Sequence, residues 1–380
     1  KKGWLRLTFL LRFIFMKNSI QLILVFVFFS CSSTTNNGNL SIIVEKIQIP
    51  IDEKFLNTYQ IWDSYYENEE SKLLAYNETR HSFDVFSLDK QSTLSQIPLE
   101  REGPDGIDKV DGLDYYNEDS IFLYSRGKLY ISTIEGKISK VHSLYELFNF
   151  DGGGEPSINF YFKLRYNPVS KSVAFFIVYH NTDQKSKGNL PLIGLLNLET
   201  LKTNYLPIYH SYFFKRNEGN VGFVTYLGFN DFLDGSMIYN FQYQSNIYCL
   251  STEGNLNKGK EVKHILPLIN LDNIDSHAIN NTHFLSPIPD PWRKLIYRFN
   301  WEAPIKGKEN SFLQKKTSLT VFDSKLKKLQ HYSLPDYTYQ INNWFVTKKG
   351  LFLNLAHPAN PTLKENTLEF HVVKLRNNEF

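Results

Sequence analysis

The chain has 380 residues, with 30 Phe and 23 Tyr but only two Met and two Cys, a composition that suits pleated, half-buried surfaces better than helix bundles. Its formal charge of +3 is local: residues 1–30 hold five basic side chains and no acid, and the remainder sets 37 basic groups against 39 acidic ones. A near-neutral body lacks the concentrated basic face that nucleic acid requires, so a nucleic-acid partner is excluded.

Residues 1–15, KKGWLRLTFLLRFIF, read as upstream sequence before a start at Met16, or else as the front of one apolar helix from Trp4 to Phe29 broken by Arg12 and Lys17. From Met16 the pattern is a short positive region at Lys17, an apolar run from Ile20 to Phe29, small Ser30, then Cys31. That is the build of a secretory signal over residues 16–30, shorter than a membrane span. Its ending, FFSC, resembles the lipobox of bacterial lipoproteins, with Phe28 where Leu is commonest. The resemblance implies that Cys31 is lipidated and becomes the mature N-terminus, because two or more acyl chains anchor stably where one holds marginally. The rival reading is a plain signal anchor with a free thiol. Residues 31–40, with the polar run SSTTNNGN, form a flexible tether. Acids just after the Cys mark surface export in Bacteroidota-type lipoproteins; this tether has none. An outer-membrane lipoprotein facing the periplasm is therefore expected.

Residues 41–380 read as one domain. It begins with an orphan alternating strand, LSIIVEKIQIP. A unit then recurs six times, beginning at Lys72, Ser120, Ser172, Ser236, Lys294 and Gly350. Each copy carries an apolar strand and a second alternating strand. In five copies a polar turn such as SLDKQ, TIEGK or STEGN leads to a third strand. Another short strand precedes each copy, as in IWDSYYENEE, VDGLDYYNED and FYFKLRYNPVSK. Six units of four strands predict an all-β, six-bladed β-propeller. The sixth copy ends without an outer strand of its own. Residues 41–49 are predicted to join the last blade, with Ile42, Val44, Ile47 and Ile49 as the seam. Such closure removes a bare sheet edge. A β-sandwich or two separate β domains is the competing architecture. Helix is confined to KVHSLYELFNF, with helical spacing at Val141, Leu144, Leu147 and Phe148, and to VKHILPLINLDNI, cut by Pro267.

The segments FDVFSLDK, IPLEREGPDGI, YYNEDSIFLYS and LYISTIEGKI resemble the Bacteroidota lipoproteins grouped as domain-of-unknown-function family 4221. The resemblance is sharpest over about residues 72–140. Those proteins are similar to six-bladed propeller lipoproteins of the same bacteria. A propeller fold and an envelope location are implied; no activity is.

Two crossings between blades carry candidate binding residues. In REGPDG, Pro104 fixes its φ while Gly103 and Gly106 permit positive φ, giving a tight turn. Arg101, Glu102 and Asp105 would then line the mouth of the central channel, or Arg101 and Glu102 would form only a local ion pair. The second crossing, FDGGGEP, contributes Asp151 and Glu155. It lacks the Gly-Lys-Ser/Thr of a phosphate loop and the βαβ setting of a dinucleotide site. The ten His are scattered, and Cys249, in NIYCLST, has no Cys partner once Cys31 is acylated. No metal or other cofactor is therefore expected. Trp292, Trp301 and Trp344 lie near loops, where they either stack on sugars or pack into the core. The reading is a monomeric, lipid-anchored module that binds or scaffolds an envelope protein, peptide or glycan. The alternative is a hydrolase or lyase acting on carbohydrate or lactone at the channel mouth.

Overall fold

The first strand of the fold finishes the last sheet. Strand β1 (Leu40–Pro50) pairs antiparallel with the C-terminal strand in an unbroken register from Leu40 opposite Asn377 to Pro50 opposite Thr367. The computed structural model describes residues 40–103, 106–148, 154–179, 190–209, 227–242, 244–251, 254–259, 279–303, 314–340 and 344–377.

Blade 1 comprises β2 (Trp62–Glu67), β3 (Glu70–Asn77), β4 (Ser82–Ser87) and β5 (Ser92–Pro98). Blade 2 comprises β6 (Gly112–Asn117), β7 (Ser120–Ser125), β8 (Lys128–Ser132) and β9 (Ile138–Ser143), followed by the single turn α1 (Leu144–Leu147). Blade 3 holds β10 (Gly154–Ser157), β11 (Arg165–Asn167), β12 (Ser172–Tyr179), β13 (Ile193–Asn197) and β14 (Thr203–Leu206). Blade 4 holds β15 (Leu227–Leu233), β16 (Ser236–Phe241), β17 (Ile247–Leu250) and β18 (Leu256–Gly259). Blade 5 holds β19 (His283–Phe284), β20 (Ile288–Asp290), β21 (Leu295–Trp301), β22 (Thr317–Asp323) and β23 (Lys328–Ser333). Blade 6 runs β24 (Phe345–Thr347), β25 (Gly350–Asn354), β26 (Thr367–Asn377), with β1 outermost. The innermost strands touch in sequence, β2 to β6, β11, β15, β20, β24 and back to β2, so the six sheets form a closed six-bladed β-propeller. In blades 3 and 5 the inner strand is split into two short pieces on one partner. In blade 5, Pro287, Pro289 and Pro291 remove ladder donors there.

The continuous apolar runs follow from burial on both faces of each sheet. Leu73 packs at the junction of blades 6 and 1, while its neighbour Leu74 packs at the junction of blades 1 and 2. Among the described residues each of the six junctions has its own hydrophobic cluster. Residues 138–143 form strand rather than helix, because Val141 pairs with Tyr130 in the β8–β9 ladder; helix begins only after Ser143. The second helical segment, 262–274, lies outside the described residues.

The turns that follow the inner strands lie at one end of the ring, and contacts join them around it. Tyr115 Oη donates to Glu67 at 2.8 Å, and Tyr116 meets Tyr166 edge-on at 4.9 Å. Asn167 donates to the Gly235 carbonyl at 2.8 Å, and Lys294 pairs with Asp234 at 2.8 Å. Arg293 donates to the Thr347 carbonyl at 3.1 Å, and Lys348 lies over the Tyr66 ring at 3.4 Å. All six junctions are bridged.

Ile47 and Ile49 are fully buried in the seam between blades 6 and 1, whereas Val44 is 41% exposed. Ile47→Ala is expected to lower the unfolding free energy by about 2–5 kcal/mol, the cost of a buried cavity. Val44→Ala stays within ~0.5 kcal/mol of the parent. Paired denaturant melts of the two variants measure the difference.

Candidate functional site

The polar centre of the ring is built on Arg165. Its side chain is 7% exposed and spans four inner strands. Nη2 lies 3.0 Å from Asp63 on β2, Nη1 lies 3.0 Å from Asp114 on β6, and Nε donates to the Asn230 carbonyl of β15 at 2.9 Å. Asp231 stands 3.9 Å away on the same strand. A β-bulge between Phe229 and Phe232 aims both Asn230 and Asp231 at the guanidinium. The two ion-paired carboxylates also join blade to blade, since Tyr115 N donates to Asp63 at 2.9 Å and Tyr166 N donates to Asp114 at 2.6 Å. Burial opposes charge on the guanidinium, but Asp63, Asp114 and Asp231 outweigh it and hold Arg165 protonated. Burial raises Asp114, with Asp63 and Asp231 adding to the rise and Arg165 opposing it. Asp231 is 48% exposed to solvent in the channel, yet protein crowds it and pushes its pKa up to about 6.

Immediately upstream of these charged positions lies a cavity of about 270 Å³. Three equivalent triplets line it: Gln60–Trp62, Asp111–Leu113 and Phe162–Leu164. Residues 158–160 and Lys109 complete the wall. Lys109 and Asp111 neutralise each other at 2.8 Å. The Asn159 side chain caps Tyr161 N at 2.8 Å and Phe162 N at 3.1 Å, which fixes the loop that presents Phe160, 46% exposed. Lys163 has no hydrogen-bond or ion-pair partner for its ammonium among the described residues. Burial and the nearby Arg165 bring Lys163 down to about 8, against the pull of Asp63 and Asp231. The walls therefore combine an aromatic plate, amide groups and one unengaged amine, a set suited to holding a small polar ligand.

A sequence profile for the domain of unknown function DUF4221 matches residues 37–330. The chain belongs to the DUF4221 family. A DUF4221 family member from Bacteroides vulgatus superposes with a TM-score of 0.78 at 17% identity, covering 90% of this chain and 100% of that one. A protein of Bacteroides fragilis described as exported gives a TM-score of 0.55 at 11% identity, covering 90% and 98%. No curated protein matches the sequence.

In this DUF4221 chain the REGPDG crossing is a pinned loop. Ile107 N donates to the Glu100 carbonyl at 2.9 Å, and a Cβ on Gly106 would stand 2.6 Å from the Glu102 main chain. Arg101 donates to the Asp108 carbonyl at 3.3 Å rather than pairing with Glu102; both side chains are exposed and neither lines the cavity. The cavity takes Lys109, Asp111 and Gly112 from the same crossing. Glu155 is part-buried on β10, opposite Val178. Asp105, Asp151 and Cys31 lie outside the described residues. Trp344 and Trp301 pack in the blade 5–6 core, whereas Trp292 is exposed. Cys249 is half-buried on β17, and burial pushes its thiol up. The Arg165 group was missed, although its signal is visible: Asp63, Asp114 and Arg165 recur every 51 residues, each after an apolar residue.

Arg165→Met leaves three crowded carboxylates without their counter-charge, at a cost of about 3–5 kcal/mol. Carboxylates raised in the folded state stabilise below their unfolded pKa, near 4, and lose that stability as pH rises through the folded value. The deficit of the variant is therefore expected to be small at acid pH and to grow towards pH 6 and above. Denaturant melts of both proteins across that range measure it.

Proposed function

We propose that this protein is a lipid-anchored module of the cell envelope that binds a partner through the cavity at the channel mouth. The carrying observation is the 270 Å³ cavity itself, assembled from equivalent positions of three blades. It is at the small end for ligand sites, so it suits a single sugar unit or a peptide side chain or terminus presented by a larger envelope partner. Phe160 supplies a stacking surface, and Gln60 with Lys163 supplies polar contacts. Binding is favoured over hydrolysis or lysis because Asp63 and Asp114 are engaged by Arg165 and Asp111 by Lys109. The envelope address is supported by the lipobox ending at Cys31 and by the fold shared with the B. fragilis protein described as exported. Among the described residues no helix is long and apolar enough to cross a membrane. Anchoring is assigned to the acyl chains on Cys31 on the strength of the lipobox ending.

Two measurements test this reading. Cys31→Ala should move the protein from the membrane fraction to the soluble periplasm; retention in the membrane overturns the anchor. Calorimetric titration with envelope glycan fragments and peptides should find a ligand whose affinity falls about tenfold in Phe160→Ala and in Lys163→Met, a loss of about 1.4 kcal/mol each. A ligand bound equally by parent and both variants overturns the cavity assignment.

A further inference from the structure

The end of the ring opposite the cavity carries a second surface. There the six inner-strand turns, bridged at every junction, present Tyr66, Tyr116, Val169 and Trp292 to solvent, at 40%, 49%, 64% and 43% exposure. Lys348 lies over the Tyr66 ring at 3.4 Å, so one ammonium already sits at the level of these rings. Tyr and Trp around a rigid rim, with lysines among them, are the groups that partition to the boundary between lipid headgroups and acyl chains.

The chain also leaves the fold at this end. In blade 6, Leu351 at the start of β25 pairs with Val373, and Val373 pairs with Val44. Leu40–Ile43 continue the ladder past that level, on the side of the Lys348–Lys349 turn. Eight residues, or nine Cα–Cα steps, lie between Leu40 and Cys31. Fully extended they reach about 30 Å, so an anchor at Cys31 holds this end of the ring nearest the bilayer.

We infer that the inner-turn face, centred on Trp292, Tyr66 and Tyr116, seats the ring on the bilayer that holds its anchor, leaving the channel-mouth cavity directed away from the membrane. This inference rests on the lipidation of Cys31 proposed above. The occupant is a zwitterionic headgroup layer rather than a strongly anionic one. Glu69, Glu118 and Asp119 share the face with Lys171, Lys294 and Lys348, which leaves no one-signed field for anionic lipid.

Trp292 reports the contact directly, because Trp62 and Trp344 are buried and Trp301 packs part-buried against the blade 5–6 core. The full-length protein, processed in cells and purified from membranes, is reconstituted into vesicles of dibrominated phosphatidylcholine. Cys31 is checked by mass spectrometry in the same sample. The expected result is a bromine-sensitive emission component that Trp292→Phe removes, with iodide reaching Trp292 less in vesicles than in detergent. Added salt should leave the quenching unchanged. If lipidated, vesicle-bound protein emits equally from brominated and plain vesicles, the seating is overturned while the anchor stands. An unacylated Cys31 overturns the anchor and the seating with it. Quenching abolished by salt overturns the zwitterionic assignment.

Discussion

Everything in this molecule depends on the ladder between the first and last strands of the fold. Leu40–Pro50 and Thr367–Asn377 pair without a break, although more than 300 residues separate them. Without β1 the outer edge of β26 would be a row of unpaired backbone groups. Ile47 and Ile49 stabilise this pairing by burying against the Phe345, Phe352 and Phe370 cluster and against Trp62 and Leu73 of blade 1. The same two side chains thus bind the ladder and the junction that closes the ring. A pairing of such sequence separation has a large loop-closure cost, which the six apolar junctions offset together.

Closure brings distant residues to one axis. Asp63, Asp114, Arg165 and Asp231 sit on four successive inner strands, and only a closed ring sets them around one guanidinium. Three carboxylates around Arg165 and Lys163 leave one negative charge in excess, and burial together with that repulsion raises Asp114 and Asp231. The cluster spends its charges internally. Its physical role is to lock the relative rotation of blades 1 to 4, since a buried ion pair with one partner displaced is costly.

With the axis occupied by Arg165, the two ends of the ring have different tasks. At the crossing end, loops of differing length leave the sheets and shape a cavity, and Asn159 holds the loop that carries Phe160. At the turn end, short hairpins are joined junction by junction into a stiff rim with exposed aromatic rings. The reason is geometric. Hairpin turns of few residues have little freedom and pack closely, whereas crossings must span from an outer strand to the next inner strand and can carry extra residues.

Much of the fold was legible because its signals are local. Alternation, hairpin turns and the recurrence of the unit mark six blades, and the missing outer strand of the last copy marks the place of β1. Chemistry at single residues was less legible. The turn expected at REGPDG closes with Gly106 N donating to the Gly103 carbonyl and positive φ at Gly103 alone, Gly106 being needed for its close approach to Glu102, but the cavity takes Lys109 and Asp111 from that crossing and leaves Arg101 and Glu102 outside it. Trp292 and Trp344 look alike in sequence, and only packing makes one a surface group and the other a core group. The sequence by itself determined the strands, their turns and the order of the blades, since these depend on residues near one another in the chain. Tertiary structure alone decided which charges meet at Arg165, which side chains line the cavity and which aromatic groups face outwards. Those depend on the curvature of a closed ring, which no stretch of sequence encodes locally.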